Sequence, residues 1–346
     1  MLPLGSTATL SNATAEALAW DWMEAEPTPV QLLTGPTPLE PAPRLSAAVG
    51  LAPDGLWIKR DDLIGLGGGG NKVRKLQWTC AQALAAGADT LITSGAAQSN
   101  HARLTAAAGA RLGLHVVLVL AGSRPDPGQL TGNLALDALF GASIVWSADG
   151  GEAALRARVD EVAAELVNAG RRPAVIPFGG STPLTTNAYL DATREILSQG
   201  VGPDHVVVAV GSGATMAGLV RGFGAQRVLG VHCGAVTDPH RAVRALFPVH
   251  DPAPTSLRIR MDQVGAGYGR VTPEVTAALA LAARTEGIVF DPVYTGRALA
   301  GLIAEVDDGQ IEPESTVVLM HTGGLPGLFG HTEFIAGLGN VGPEAV

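Results

Sequence analysis

Apolar residues form two kinds of pattern along most of this chain, and stretches of the two kinds alternate. Short continuous apolar runs predict buried β-strands, and stretches in which apolar residues recur every three or four positions predict helices. The predicted strands are 56–59, 90–93, 115–120, 143–146, 173–176, 205–210, 227–232 and 316–321. The predicted helices are 72–86, 100–112, 130–140, 152–169, 185–198, 215–223, 239–247, 273–286 and 295–306. Repeated helix–strand alternation with glycine between the elements predicts an α/β fold with parallel sheets and helices on both faces.

The start of the chain does not share this alternation. Residues 1–30 are predicted to be an N-terminal extension with one short helix at 15–23, which Pro27 and Pro29 end because proline cannot continue a helix. A proline-rich segment at 36–43 is predicted to be extended and to lead into the first strand.

Composition excludes several classes of protein. The 346 residues suffice for two domains, and the 47% hydrophobic and 16% charged residues exclude a disordered chain. No apolar run is long enough to span a membrane. A net charge of −9 argues against nucleic acid and anionic membranes as partners. Two cysteines provide neither a disulfide framework nor a metal site, and no signal-peptide pattern is present, so we expect a cytoplasmic protein without a metal.

The stretch GGGGNKVRKL at 67–76 is the first candidate for chemistry. Its glycines allow a tight turn and close approach of a flat ligand, and Lys72 follows them at the start of a predicted helix. Desolvation there would lower the pKa of the amine, and a neutral amine is what a Schiff base needs. The alternative is a surface loop with a solvated lysine. A dinucleotide fingerprint at Gly65, Gly67 and Gly70 fails because charged residues precede it, and a P-loop fails because Asn71 separates the lysine from the last glycine.

Four further segments place polar or glycine-rich turns after predicted strands or in loops. The turn Gly211, Ser212, Gly213, Ala214 and Thr215 joins an apolar strand to a helix, so its free N–H groups predict a phosphate cradle; the alternative is an ordinary strand–helix turn. Gln98, Ser99 and Asn100 follow a strand, where ligands bind in α/β sheets, although Ser99 and Asn100 also suit a helix N-cap. Tyr268 and Tyr294 each lie in a glycine loop and are candidates for stacking or proton transfer, or for half-buried packing.

Seven motifs, in order, resemble those of the D-cysteine desulfhydrase and 1-aminocyclopropane-1-carboxylate deaminase family of pyridoxal-phosphate enzymes. They are LTGPTPLE at 33–40, KRDD at 59–62, GGNKVRKL at 69–76, QSNH at 98–101, RTEG at 284–287, DPVYTG at 291–296 and HTGG at 321–324. The resemblance covers about residues 30–335 and leaves the N-terminal extension outside.

The resemblance implies the tryptophan-synthase-β-like fold, called fold type II, and a homodimer. A small domain at 75–178 would be inserted into a large cofactor-binding domain made of 31–74 and 179–346. Lys72 corresponds to the Schiff-base lysine, Asn100 to the residue that bonds the cofactor ring hydroxyl, and Gly211 to Thr215 to the phosphate cup. Gln98, Ser99 and Asn100 lie where the substrate carboxylate is held, and Tyr268 and Tyr294 match the active-site tyrosines.

Two positions that the resemblance places among the cofactor-binding residues, Thr295 and Thr322, also bear on the substrate. Deaminases of this family carry Glu and Leu where this chain has Thr295 and Thr322, which desulfhydrases also have. The resemblance therefore implies a lyase that acts on a small amino acid and eliminates thiolate, leaving pyruvate and ammonia. The alternatives are a sulfo-lyase acting on L-cysteate, a 1-aminocyclopropane-1-carboxylate deaminase and a β-replacement enzyme. A catalytically silent cofactor carrier and a nicotinamide-dependent oxidoreductase remain as alternatives of other classes.

Overall fold

The strands form two separate sheets in the computed structural model, which describes residues 27–126, 128, 130–148 and 150–338. The ten strands are β1 Leu39–Pro41, β2 Leu56–Arg60, β3 Thr90–Ala96, β4 His115–Ala121, β5 Ser143–Ser147, β6 Pro173–Val175, β7 His205–Val210, β8 Val228–His232, β9 Arg258–Arg260 and β10 Val317–His321. One sheet has the order β1-β2-β10-β7-β8-β9 and the other β5-β4-β3-β6. All neighbouring strands are parallel except β1, which runs antiparallel to β2.

The helices alternate with the strands along the chain, as the sequence predicted. They are α1 Pro43–Ala48, α2 Lys72–Ala85, α3 Asn100–Leu112, α4 Gly132–Leu139, α5 Glu152–Asn168, α6 Asn187–Ser198, α7 Ala214–Phe223, α8 Pro239–Arg244, α9 Pro273–Glu286, α10 Thr295–Asp307, α11 Leu325–Phe329 and α12 Thr332–Gly337. The predicted helix at 15–23 lies outside the described residues.

Alternation of side chains along the central strands explains why helices cover both faces of each sheet. On β7, Val206 and Val208 pack with residues of α6, α7 and α8, while Val207 packs on the other face with α1, α9 and α10. In the four-stranded sheet, Leu91 faces α2, α3 and α4, and Ile92 faces α5. Strands that are apolar at every position are typical of a parallel sheet buried on both sides.

The sequence missed β1, β9, α1, α11 and α12, all of them short. Strand β9 is polar because Arg258 and Arg260 point to carboxylates of α10, and charged side chains are common on edge strands. Within the described part of the chain, no helix is long and apolar enough to cross a membrane. The same residues contain no group of three or more His, Cys, Asp and Glu side chains that could hold a metal ion.

Candidate active site

Lys72 is the first residue of α2 and follows a loop that only glycine can form. Gly69 has φ +81°, and a Cβ there would lie 1.9 Å from the carbonyl oxygen of Asp62. The side chain of Lys72 is half-buried, and its Nζ donates a hydrogen bond to the carbonyl oxygen of Gly179 at 3.2 Å. Burial lowers the pKa of Lys72 to about 8. The amine is therefore not a solvated surface lysine, and it loses its proton more readily than an ordinary lysine does.

A second lysine, which the sequence analysis did not assign to the site, lies beside Lys72. Nζ of Lys75 donates to the same Gly179 oxygen at 3.2 Å and to Oγ of Ser181 at 3.2 Å. Burial and the charge of Lys72 hold the pKa of Lys75 well below its ordinary value. Burial, with both lysine charges, does the same to the pKa of His101. The spacing of Lys75 from Lys72, about one helical turn, is the signal that would have found it.

A buried arginine of α3 holds the glycine loop that precedes Lys72. Arg103 donates to the carbonyl oxygens of Gly67 at 2.9 Å and Gly69 at 2.8 Å, and its side chain is fully buried. Asp137 of α4 is also fully buried, and neither of its carboxyl oxygens has a hydrogen-bond partner among the described residues. Burial raises the pKa of Asp137 to about 7, an effect that the nearby charge of Arg103 opposes.

The predicted phosphate cradle lies at the end of β7 and opens α7. It consists of Gly211, Ser212, Gly213, Ala214 and Thr215, with Gly213 at φ +100°. Ser212 Oγ lies 2.7 Å from Ser181 Oγ, and Asn71 donates its side-chain amide to Thr215 Oγ1 at 3.1 Å. A Cβ on Gly179 would lie 2.2 Å from Ser212 Oγ and 3.4 Å from Lys72 Nζ. The cradle and the Lys72 amine therefore meet at Gly179.

The turn 98–100 leads from β3 into α3. Ser99 Oγ accepts from the backbone N–H of Ala102 at 3.1 Å, so Ser99 is the N-cap, as one interpretation of the sequence expected. The side-chain oxygen of Gln98 accepts from the backbone N–H of Asn133 at 2.8 Å. The side-chain amide of Asn133 donates to the Gln98 carbonyl oxygen at 2.8 Å and to Asn100 Oδ1 at 2.9 Å. These bonds fix the turn and leave the Asn100 amide nitrogen with no protein partner among the described residues.

The two candidate tyrosines form a pair. Their hydroxyl oxygens lie 2.7 Å apart, and their rings meet edge to face with centroids 6.2 Å apart. Desolvation of the paired hydroxyl groups raises the pKa of Tyr268 and raises that of Tyr294 well above the ordinary value. A Cβ on Gly211 would lie 3.1 Å from the Tyr294 ring, so the pair lies against the cradle.

The two threonines differ in their surroundings. Thr295 is fully buried, and its Oγ1 donates to Asp291 Oδ1 at 2.7 Å and accepts from the Asp291 N–H at 2.7 Å. Thr322 is half-buried, and its carbonyl oxygen accepts from the Asn71 N–H at 3.0 Å. The residue Asn71 therefore links the Thr322 segment to the cradle. Thr295 presents a neutral group whose hydroxyl hydrogen is already committed to Asp291.

The residues present fit pyridoxal phosphate. A lysine amine with a pKa of about 8 lies next to a strand–turn–helix cradle, whose first-turn N–H groups lack intrahelical acceptors and suit an anion. Lys72 would hold the aldehyde end and the 211–215 turn the phosphate. The structure brings the cradle, Lys72, Tyr294 and Thr322 together directly. Within the described residues no hydrogen bond joins Lys72 to the turn 98–100, which reaches the lysine loop through Arg103 on α3.

Comparisons with known proteins show the family of the chain. The family described as "Pyridoxal-phosphate dependent enzyme" matches residues 30–323. A D-cysteine desulfhydrase of Klebsiella pneumoniae is 40% identical over 321 residues, which cover 87% of this chain and 95% of that protein. A putative 1-aminocyclopropane-1-carboxylate deaminase of Pyrococcus furiosus is 37% identical over 316 residues, which cover 87% of this chain and 93% of that protein.

Solved structures extend the comparison to the fold. The crystal structure of a homologue of ACC (1-aminocyclopropane-1-carboxylate) deaminase matches with a TM-score of 0.80 and 34% identity, covering 94% of this chain and 99% of that chain. The processed form of threonine deaminase isoform 2 from Solanum lycopersicum matches with a TM-score of 0.61 and 19% identity, covering 86% of this chain and 87% of that chain, a likeness of fold alone. The chain therefore belongs to the family of pyridoxal-phosphate-dependent enzymes and has the fold type II architecture that the resemblance implied.

Proposed function

We propose that the protein is a pyridoxal-phosphate-dependent carbon–sulfur lyase of the D-cysteine desulfhydrase type. It would convert cysteine and water to pyruvate, ammonia and hydrogen sulfide. The observation that carries this proposal is the neutral Thr295, whose buried hydroxyl is bonded to Asp291 at the position where the family's ring-opening deaminases carry Glu. Relatives named D-cysteine desulfhydrase, 40% identical to this chain, support the same choice.

Lys72 would act as the base that moves the substrate α-proton. When bound, pyridoxal phosphate supplies an electron sink that stabilises negative charge at the substrate α-carbon. A general base works best when its pKa lies near the working pH, and burial brings the Lys72 pKa to about 8. The Gly179 carbonyl oxygen, 3.2 Å from Lys72 Nζ, orients the amine at the edge of the cradle.

The turn 98–100 would hold the substrate carboxylate. It lies at the N-terminus of α3, where free N–H groups and the helix dipole favour an anion. The Gln98 side chain accepts from the Asn133 N–H and donates to the Thr131 carbonyl oxygen, so Gln98 would contribute its backbone and hold the turn in place. Ser99 Oγ and the amide nitrogen of Asn100 are the side-chain groups available to substrate and to the cofactor ring hydroxyl.

The tyrosine pair would face the substrate side chain. A hydrogen bond of 2.7 Å lets one hydroxyl share its proton with the other, so a proton could pass between Tyr268 and Tyr294 as the leaving group departs. Tyr268 is 40% exposed and can be reached from solvent, whereas Tyr294 lies against the cradle at Gly211.

The remaining features of the family resemblance are part of the same proposal. The two sheets support the proposed domain boundaries, because β3 to β6 form one sheet and the other strands form the second. The large domain would consist of residues 31–74 and 179–346, and the inserted domain of residues 75–178. The family resemblance also implies a homodimer, and light scattering tests this by measuring the molar mass of the purified protein. The buried free thiols of Cys80 and Cys233 suit the reducing cytoplasm, which cell fractionation tests.

The decisive experiment is a panel of D- and L-amino acids with the purified holoenzyme. We expect D-cysteine to give pyruvate and sulfide in equal amounts. Sulfite from L-cysteate would favour the sulfo-lyase, and a new amino acid formed only with an added thiol would favour β-replacement. Ring opening of 1-aminocyclopropane-1-carboxylate to 2-oxobutyrate at a comparable rate would overturn the proposed reaction and leave the fold and Lys72 untouched.

A further inference from the structure

Arg297 is a fully buried guanidinium in α10 with no carboxylate within ion-pair distance among the described residues. Its two terminal nitrogens donate instead to backbone carbonyl oxygens, while Nε has no hydrogen-bond partner among the described residues. One terminal nitrogen donates to Cys233 at 2.5 Å, and the other donates to Gly267 at 3.0 Å and to Arg270 at 2.6 Å. A buried charge without a counter-charge is costly, so these three bonds are the interactions that keep it in place.

Two of the three acceptors belong to one loop, residues 265–270, which carries Tyr268. The loop needs its glycines: Gly265, Gly267 and Gly269 have φ of +62°, +139° and +74°. It packs closely on the chain after β8, because a Cβ on Gly234 would lie 3.2 Å from the backbone nitrogen of Tyr268. The third acceptor, Cys233, precedes Gly234, so Arg297 ties the loop to the strand end on which it rests.

Arg297 also belongs to the element that presents the other tyrosine. Tyr294 is the N-cap of α10, one helical turn before Arg297. The 2.7 Å contact between the two hydroxyl oxygens therefore depends on the placement of a glycine-rich loop against the start of α10. The only side chain of α10 with hydrogen bonds to that loop, among the described residues, is Arg297.

We propose that Arg297 is a positioning residue that holds Tyr268 against Tyr294 by binding the carbonyl oxygens of the 265–270 loop. The planar fork of the guanidinium reaches three acceptors in different directions, which an ammonium on a flexible stem does less well. The role assigned to the tyrosines rests on the proposed function, but the placement of the loop does not.

A double-mutant cycle tests the catalytic part of this proposal. We expect Arg297→Met to lower kcat for pyruvate formation on the order of tenfold, with a smaller effect on KM, since tenfold corresponds to about 1.4 kcal/mol of barrier. In a Tyr268→Phe background the same change should lower kcat less than about twofold, because residues that act through one another are not additive. Equal losses in both backgrounds would contradict the proposal. Arg297→Lys should lose less of kcat than Arg297→Met does. If Arg297→Met does not fold, the cycle is measured with Arg297→Lys.

Hydrogen–deuterium exchange tests the placement of the loop without any turnover. The backbone N–H of Gly267 donates a hydrogen bond to the carbonyl oxygen of Val264 at 3.4 Å, and that of Arg270 donates to the carbonyl oxygen of Gly267 at 3.2 Å. We expect exchange in 264–271 to accelerate in Arg297→Met and exchange in the strands to stay unchanged. Unchanged exchange in the loop would overturn the proposal even if the lyase assay succeeds, whereas a wild type inactive on every substrate would overturn only the proposed function.

Arg221 provides the matched control. Its side chain is 6% exposed and donates to Asp251 and Thr186, each at 2.7 Å, away from the tyrosine loop. We expect Arg221→Met to lower the melting temperature as a loss of buried hydrogen bonds does, while exchange in 264–271 stays as in wild type. Its effect on kcat should be independent of Tyr268→Phe.

Discussion

Lys72 and Lys75 share one hydrogen-bond acceptor, because the side-chain nitrogen of each lies 3.2 Å from the carbonyl oxygen of Gly179. Two ammonium groups so close in a desolvated site repel each other, and burial lowers the pKa of both. The two lysines differ in access: Lys72 begins its helix and is half-buried, whereas Lys75 is 1% exposed.

This difference predicts which lysine carries the cofactor. Borohydride reduction of the holoenzyme should leave pyridoxal phosphate covalently attached to Lys72, as mass spectrometry of the peptides will show. Lys72→Ala should lose turnover even where it still binds the cofactor, and Lys75→Gln should still be labelled at Lys72. Label found on Lys75 or Lys59 would contradict the assignment.

The phosphate cradle yields a prediction about cofactor retention. A Cβ on Gly213 would lie 3.2 to 3.3 Å from Leu246, Ala242 and Val243, and its φ of +100° disfavours any side chain. Gly213→Val should therefore distort the cradle and lower cofactor occupancy after dialysis. Gly224 at the other end of α7 also has a positive φ but no atom within 4 Å of its Cβ position. Gly224→Ala, as the control, should keep wild-type occupancy; equal occupancy in both variants would place the phosphate elsewhere.

Ser99 has a structural role that the hydrogen bond to Ala102 establishes, and a proposed catalytic one. Loss of the cap in Ser99→Ala should cost about 1 kcal/mol of stability. As a substrate contact, the same change should lower kcat/KM tenfold or more, since each 1.4 kcal/mol of barrier is about a factor of ten. Asp238, the exposed N-cap of α8, provides the control: Asp238→Ala should lower stability similarly and leave kcat/KM unchanged. Wild-type kcat/KM in the Ser99→Ala enzyme would contradict the catalytic role and leave Ser99 with its structural role as the N-cap.

Asp137 predicts a pH dependence of stability. Burial raises its folded-state pKa to about 7, above an unfolded value of about 3.9, so between about pH 4 and pH 7 the folded state keeps a proton that the unfolded state has lost. The free energy of unfolding should therefore fall as pH rises through that window, by about 1.4 kcal/mol for each unit of pKa difference, and level off above pH 7.

Replacing the carboxyl group removes this titration. The free energy of unfolding of Asp137→Asn minus that of wild type should increase from pH 4 to pH 7, as denaturant titrations at several pH values will show. Asp160→Asn, at an exposed position of α5, controls for the loss of one charge. Parallel pH profiles for wild type and Asp137→Asn would contradict the prediction.

Local pattern predicted the elements that bury apolar residues on both faces. Strand β7 is an unbroken apolar run, and α3 has its cap residue Ser99 immediately before it, so both were predicted at their observed bounds. Strand β9 was missed because its two arginines pair with α10, a contact between distant parts of the chain that no local period reveals.

The residues of the candidate site also differ in whether the local sequence reveals them. Lys72 and the 211–215 turn stand in motifs whose residue types and order suggested the roles proposed for them. Arg103 and Arg297 act through backbone carbonyl oxygens far along the chain, and any residue can supply a carbonyl, so the sequence has no pattern that marks them. The commitment of Gln98 to Asn133 was hidden for the same reason.

The surroundings of Thr295 predict that a single substitution at this position cannot change the substrate preference. Its hydroxyl donates to Asp291, and the Asp291 carboxylate also accepts from the backbone N–H groups of Val293, Tyr294 and Thr295 at 2.8 to 3.0 Å. A glutamate at this fully buried position would remove one donor and place a second negative charge beside that carboxylate. Thr295→Glu should therefore lose on the order of 3 kcal/mol or more of stability and should not open the cyclopropane substrate.

One variant at Thr295 separates the lost hydrogen bond from the added charge, and one at Thr322 provides a comparison. Thr295→Val keeps the shape and removes only the hydroxyl, so it should cost roughly 1 to 3 kcal/mol. Thr322→Leu changes the other substrate-linked position, which is half-buried and whose side chain has no hydrogen bond among the described residues, so its stability should stay within about 1 kcal/mol of wild type. Denaturant unfolding of the three variants checks this order. A Thr295→Glu enzyme as stable as wild type would mean that Asp291 can share its site with another carboxylate. Ring opening of 1-aminocyclopropane-1-carboxylate by that enzyme would contradict the prediction that one substitution cannot change the substrate preference.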